Sequence, residues 1–165
     1  MARLDLPDGD QPEIVRVWGL RPELGGPVAA LSAAVYQESQ LPPRVREAVR
    51  MRIAQINDCA ICQQWRKTAG AAEALTEEDF ANVGNWSTYE GYSERERLAV
   101  EYAERFALDH LNLDDDFFDR IHGEYTDAEI LDLTVCIGAW IALGRTMTVL
   151  GIDSSCRIQP EAHPA

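Results

Sequence analysis

Two of the chain's four cysteines stand three residues apart, in Cys59-Ala60-Ile61-Cys62, immediately after Asn57-Asp58. On a helix, positions i and i+3 share a face, so the two sulfurs can approach each other. The first turn of a helix also presents unpaired N–H groups and the positive end of the dipole, and both favour the thiolate, the nucleophilic form. Such a pair can cycle between dithiol and disulfide. Two other readings stay open. The thiols can be buried as small apolar side chains. They can also be half of a zinc site, although no second Cys-x-x-Cys or His-x₃-His supplies the remaining ligands. Cys136 falls inside a continuous apolar run and reads as inert core, and Cys156 falls in a tail, with no role assigned to it.

The elements that must position the pair are helical. Glu23 to Glu38 is apolar and alanine-rich and stops before Pro42-Pro43. Pro43 suits the start of the next helix, where Val45, Val49, Ile53 and Ile56 recur at near-helical spacing. Asn57 or Asp58 can cap a new helix running from Cys59 to about Glu73. Thr76 starts a shorter helix with Glu77, Glu78 and Asp79 in its first turn, the end that favours acids. Asn82 to Tyr92 reads as a loop whose Trp86, Tyr89 and Tyr92 can cover a pocket or bury an oligomer contact. Trp65 and Trp140 read as core.

Ser93-x-x-Glu96 and Thr126-x-x-Glu129 are capping-box patterns. The first opens a helix with Leu98, Ala99, Tyr102, Ala103 and Phe106 on one face, and the second opens a long helix to about Leu150. Asp114 to His122 lies between them as a short helix. The long helix is apolar nearly all round from Leu133 to Leu143, which predicts a place at the buried centre of the fold or of an oligomer interface. The expected fold is all-α: a single compact bundle of about seven helices in one domain over residues 1–165. Its core spans about 20–152, with loose ends over the first dozen residues and from Gln159 to Ala165.

Fifteen basic residues against 28 acidic ones leave a net charge of −13, which repels phosphate backbones and argues against a nucleic-acid partner. Met1 to Asp10 carries charges and no apolar run, unlike a signal peptide. The apolar stretch Leu133 to Leu143 is shorter than a bilayer span and is closely flanked by Asp132 and Arg145. The expectation is a cytoplasmic protein without a membrane partner. In that compartment a close cysteine pair serves redox or metal chemistry rather than a disulfide framework.

The stretch LPPRVREAVRMRIAQINDCAICQQWRKTAG, Leu41 to Gly70, resembles the carboxymuconolactone decarboxylase family, in its alkyl hydroperoxidase D-like branch. The resemblance continues through SERERLAVEYAERF and TDAEILDLTVCIGAWIALGRTM and covers roughly residues 20 to 150. The branch's signature is a glutamate, eleven intervening residues, Cys-x-x-Cys, three more and a histidine. Glu47, Cys59 and Cys62 match it, while the histidine position holds Arg66 and the residue before the second cysteine is Ile61. What the resemblance implies is a redox-active Cys59–Cys62 disulfide with no other cofactor and no metal. Cys62 attacks a peroxide, Cys59 closes the disulfide, and an external reductant reopens it. It also implies a homo-oligomer, trimeric or hexameric. In relatives a glutamate and a histidine relay the proton of the reactive cysteine, and arginine, permanently protonated, cannot take that part.

Folding the helices before and after Asn57-Asp58 into a hairpin places Glu47 and Arg66 within about 3 Å of the same height, at a rise of about 1.5 Å per residue. This predicts a Glu47–Arg66 ion pair beside the thiols, with Arg50 as the competing surface partner of Glu47 at i+3. His110 and His122 sit at helix ends, where a cation is favourable; either can stand in for the missing relay histidine, and His163 lies in the tail. Three functions compete. The first is a thiol-dependent peroxidase or disulfide oxidoreductase, weakened as a peroxidase by Arg66. The second is a decarboxylase-like lyase in which Arg66 holds a carboxylate. The third is a non-catalytic oligomeric redox sensor or binding protein.

Overall fold

The computed structural model describes residues 2–65 and 74–152. Among them eight α-helices and three short 3₁₀ turns account for the regular structure. The helices are α1 (Glu13–Arg16), α2 (Pro22–Gln37), α3 (Pro43–Ile56), α4 (Ala60–Gln64), α5 (Glu77–Asn82), α6 (Glu94–Leu108), α7 (Asp115–His122) and α8 (Asp127–Leu150). The fold is all-α, with one short helix more than the sequence pattern suggested. Prolines open α2 and α3, where a missing N–H costs nothing. Thr76, Ser93 and Thr126 cap α5, α6 and α8, each in a full capping box. Gly151, at φ +67°, ends α8 in the left-handed conformation that glycine adopts freely.

The centre of the bundle is α3, which packs most extensively on α6 and α8. Every residue from Val45 to Met51 is buried, three of them charged. The long apolar α8, expected at the buried centre of the fold or of an oligomer interface, buries Ile130, Leu133, Ile137 and Trp140 on one side and leaves Leu131, Val135 and Val149 exposed. It is long and apolar enough by length and composition to cross a membrane, and it packs here against α2, α3 and α6. The main core joins α3, α6, α7 and α8 through Val49, Ile53, Val100, Phe117, Ile121 and Leu133. A smaller cluster of Val17, Met147 and Ile152 receives Ala2 and Leu6, and Arg3 N–H donates to the Leu150 carbonyl at 2.8 Å. The start of the chain is thus tied to the end of α8 rather than loose, because Leu6 and Ile14 find apolar partners there. Cys156 and the tail from Gln159, with His163, lie outside the described residues.

Candidate active site at the α3–α4 turn

The chain leaves α3 through Asn57 and Asp58, the latter at φ +50°. A left-handed aspartate costs less than most residues there, because its short side chain tolerates the conformation. The turn is closed by Asp58 N–H to Gln55 O and Cys59 N–H to Ala54 O, both 3.0 Å. Neither Asn57 nor Asp58 caps α4. Cys59 does so itself: its Sγ accepts the Cys62 N–H at 3.4 Å. Asn57 turns inward instead. It donates from Nδ2 to the Trp140 carbonyl at 3.0 Å, accepts from Arg145 Nε at 3.0 Å, and its own carbonyl accepts from Thr148 Oγ1 at 3.3 Å. The approach needs Gly144, since a Cβ there would meet Asn57 Nδ2 at 2.5 Å.

The helix from Cys59 ends sooner than expected. Trp65 is already extended at ψ 134°, so α4 has five residues, and the stretch toward Glu73 lies outside the described residues. Arg50 explains the stop. Its Nη1 donates to Cys62 O at 2.6 Å and its Nη2 to Trp65 O at 3.0 Å, satisfying carbonyls that a longer helix would have used. Its Nε donates to Glu47 Oε2 at 2.8 Å, and its guanidinium stacks 5.0 Å from the Trp65 ring centroid. The surface pair considered at i+3 is therefore a buried one, with side chains 2% and 6% exposed. Arg66, the other expected partner of Glu47, lies outside the described residues.

The two sulfurs lie 2.6 Å apart. A disulfide needs about 2.05 Å, so bond formation asks for a movement of only about half an ångström. Their exposure differs. Cys59 is fully buried, whereas Cys62 is half-buried and lines a cleft of about 450 Å³. Trp18, Tyr36, Trp65, Trp140 and Met147 are among its lining residues, so Trp65 and Trp140 face the cleft, and Trp140 is also part of the core. Burial pushes the Tyr36 hydroxyl well above the ordinary tyrosine range; the Arg50 cation works against this, and Glu47 and Cys62 add to it.

The remaining candidates sit elsewhere. Cys136 is buried, and its thiol is pushed up to about 12 by burial first and then by Asp132. His110 is exposed, and His122 stands 3.5 Å from Asp127; neither lines the cleft. The aromatic loop does not cover the cleft either. Tyr89 and Tyr92 donate to Asp79 Oδ1 and O at 3.0 and 2.6 Å, and Trp86 donates to Glu104 at 3.2 Å. Among the described residues no three His, Cys, Asp or Glu side chains are placed to hold a metal.

The profile of the carboxymuconolactone decarboxylase family matches residues 22–105, a span that holds α2, α3, the cysteine turn and most of α6. The chain belongs to the carboxymuconolactone decarboxylase family. Within and around this family it is 28% identical over 147 residues to the uncharacterized protein YnjA of Escherichia coli K12, covering 87% of this chain and 81% of that one. It is similar in structure to ATU0492 of Agrobacterium tumefaciens, a protein of unknown function provisionally named an antioxidant defence protein AhpD. The TM-score is 0.68 at 25% identity, over 92% of this chain and 97% of that one. An alkylhydroperoxidase AhpD core protein of Ralstonia eutropha JMP134 shares the fold at TM-score 0.69 and 15% identity, over 92% and 90% of the two chains.

Sequence reasoning named Arg50 as a surface partner of Glu47 and missed its burial and its bonds to the Cys62 and Trp65 carbonyls. The only signal of Arg50 is a spacing of three from Glu47, which looks the same whether the pair is in water or in the core.

Proposed function

We propose that this protein is a thiol-dependent oxidoreductase of the peroxidase type, acting on organic hydroperoxides. The observation that carries the reading is the unequal pair of sulfurs, 2.6 Å apart, one in the wall of an apolar cleft and one sealed behind it. The Cys62 thiolate attacks the terminal oxygen of the hydroperoxide. The O–O bond breaks, sulfur is oxidised by two electrons to sulfenic acid, and the peroxide is reduced to an alcohol once its oxygen takes up a proton. The Cys59 thiol then displaces water from the sulfenic acid to give the disulfide, and an external dithiol returns both cysteines to the reduced state. Burial of Cys59 suits a resolving thiol, which meets no substrate. The aromatic and aliphatic wall supports an organic peroxide over hydrogen peroxide, because it rewards apolar bulk. The lyase alternative rests on Arg66, which lies outside the described residues; Arg50, the cation that lines the cleft among the described residues, is already engaged by Glu47 and two carbonyls. A homo-oligomer is part of the proposal, with a second copy covering the apolar face of α8.

The test is stopped-flow oxidation of the reduced protein by cumene hydroperoxide. Cys62→Ser is expected to abolish the reaction. Cys59→Ser is expected to react once and stop at a sulfenic acid that dimedone traps. Equal rates for wild type and both variants would refute the reading.

A further inference from the structure

The peroxidase reading leaves one proton without a source. Cleavage of the O–O bond releases an alkoxide, about as basic as hydroxide, whose conjugate acid water has a pKa of about 15.7. No histidine among the described residues lines the cleft. Among the described residues, the polar side chains that do, besides Cys62 and the indoles of Trp18, Trp65 and Trp140, are Ser32, Tyr36, Arg50 and Asn57. Arginine keeps its proton at all accessible pH values, an amide is no acid, and a serine hydroxyl is about as weak an acid as the alcohol being formed. A phenol, ordinarily near pKa 10, is the strongest acid of the four, by a margin that burial narrows at Tyr36.

Resting on that reading, the geometry points to Tyr36 as the catalytic acid that protonates the leaving oxygen of the peroxide. Tyr36 reaches the cleft from α2 and Cys62 from α4. Its ring lies 5.3 Å from Trp65 and 6.1 Å from Trp140, centroid to centroid, and the Arg50 guanidinium stacks on the same Trp65 ring. Tyrosine, arginine and reactive cysteine therefore share one corner of the cleft. The environment suits an acid rather than a base. Burial, with Glu47 and Cys62, holds the hydroxyl protonated through neutral pH, while Arg50 offers a cation to the tyrosinate that exists after transfer. The step balances: the thiolate sulfur takes the terminal oxygen with its hydrogen, the alkoxide takes the phenolic proton and leaves as an alcohol. Solvent then returns a proton to the tyrosinate.

The experiment compares two peroxides that differ in what leaves. Cumene hydroperoxide expels an alkoxide, which needs a proton. Peroxybenzoic acid expels benzoate, which does not. Tyr36→Phe is expected to slow sulfenic-acid formation by cumene hydroperoxide at least about 100-fold, the scale of general acid catalysis, and to change the peroxybenzoic acid rate by less than about threefold. The second arm shows that the fold and the thiol are intact. A ring-fluorinated tyrosine at position 36 keeps the hydroxyl and lowers its pKa, so the alkaline fall of the cumene hydroperoxide rate is expected to move to lower pH. Equal slowing of both peroxides by Tyr36→Phe, or no slowing of either, would overturn the assignment, as would an alkaline limb that the fluorinated residue leaves in place. Wild-type protein inert to both peroxides would overturn the thiol-oxidation reading itself.

Discussion

Arg50 is the residue on which the local geometry turns. Its one planar group serves a carboxylate on α3 and the carbonyls of Cys62 and Trp65. Only arginine has five donors in so rigid a fork. Removing it takes the hydrogen-bonded cation at 2.8 Å from the buried Glu47 carboxylate and leaves it Arg46 at 4.0 Å. Arg50→Met is therefore expected to cost about 3–5 kcal/mol in urea unfolding, while the Glu47→Leu, Arg50→Met double variant loses less, because the carboxylate leaves together with its hydrogen-bonded cation and the buried Arg46, 4.0 Å from Glu47, is the charge that remains. A loss under about 1 kcal/mol for the single variant would contradict the buried-pair account. The cysteines themselves were plain in the sequence, since three-residue spacing after a turn is a local signal. Arg50 was not, because burial of a charge depends on what packs over it. The cap of α4 was also hidden: Asn57 and Asp58 are the residue types that cap helices, yet the sulfur of Cys59 took that place while Asn57 reached across to α8.

At the scale of elements, the helix starts were the most legible part of the chain. Ser93 and Thr126 lie three residues before a glutamate, and each closes the reciprocal pair of hydrogen bonds that this spacing allows. The end of α4 was not legible, because Trp65 breaks no helix by type and the Arg50 bonds to the Cys62 and Trp65 carbonyls come from another helix. The cap of α5 also carries a pH dependence. Burial works to raise the Asp79 carboxyl, but donors from Thr76 and Tyr89 and the Arg44 cation outweigh it and hold the group below the usual carboxylate range. Arg44 joins Asp79 to Glu96 of α6, at 3.2 and 2.7 Å. A carboxyl whose folded pKa is depressed stabilises the fold fully above its unfolded value of about 3.9 and loses that contribution as pH falls through the folded value. The urea midpoint is expected to be flat from neutral pH to about 5 and to fall below about 4. Asp79→Asn is expected to start lower at neutral pH and to show a shallower acid slope; parallel curves would remove Asp79 from the account.

At the scale of the whole molecule, the all-α class was legible in the helical spacing of apolar residues, and the placing of the two most apolar segments was not. Periodicity cannot tell a helix buried by its own fold from one that keeps a face for another chain. Leu131 and Val135 line a groove between the end of α2 and α8. They are 64% and 46% exposed, an apolar presentation that a partner surface would remove from water. If a second copy covers them, Leu131→Glu with Val135→Glu is expected to lower the molar mass in sedimentation equilibrium to that of the 18.4 kDa chain. An unchanged mass would move the interface elsewhere or do away with it.

The side chain of Asn57 stitches the sulfur-bearing turn to a helix more than eighty positions downstream, at Trp140 and Arg145. The spacing between the two thiols is therefore in part a long-distance property of the chain, held through a seam between the turn and α8. Reactivity in such an arrangement is owned jointly by the motif and by the remote backbone that hems it. A grafted Cys-x-x-Cys loop would carry the letters of the site without its tailoring.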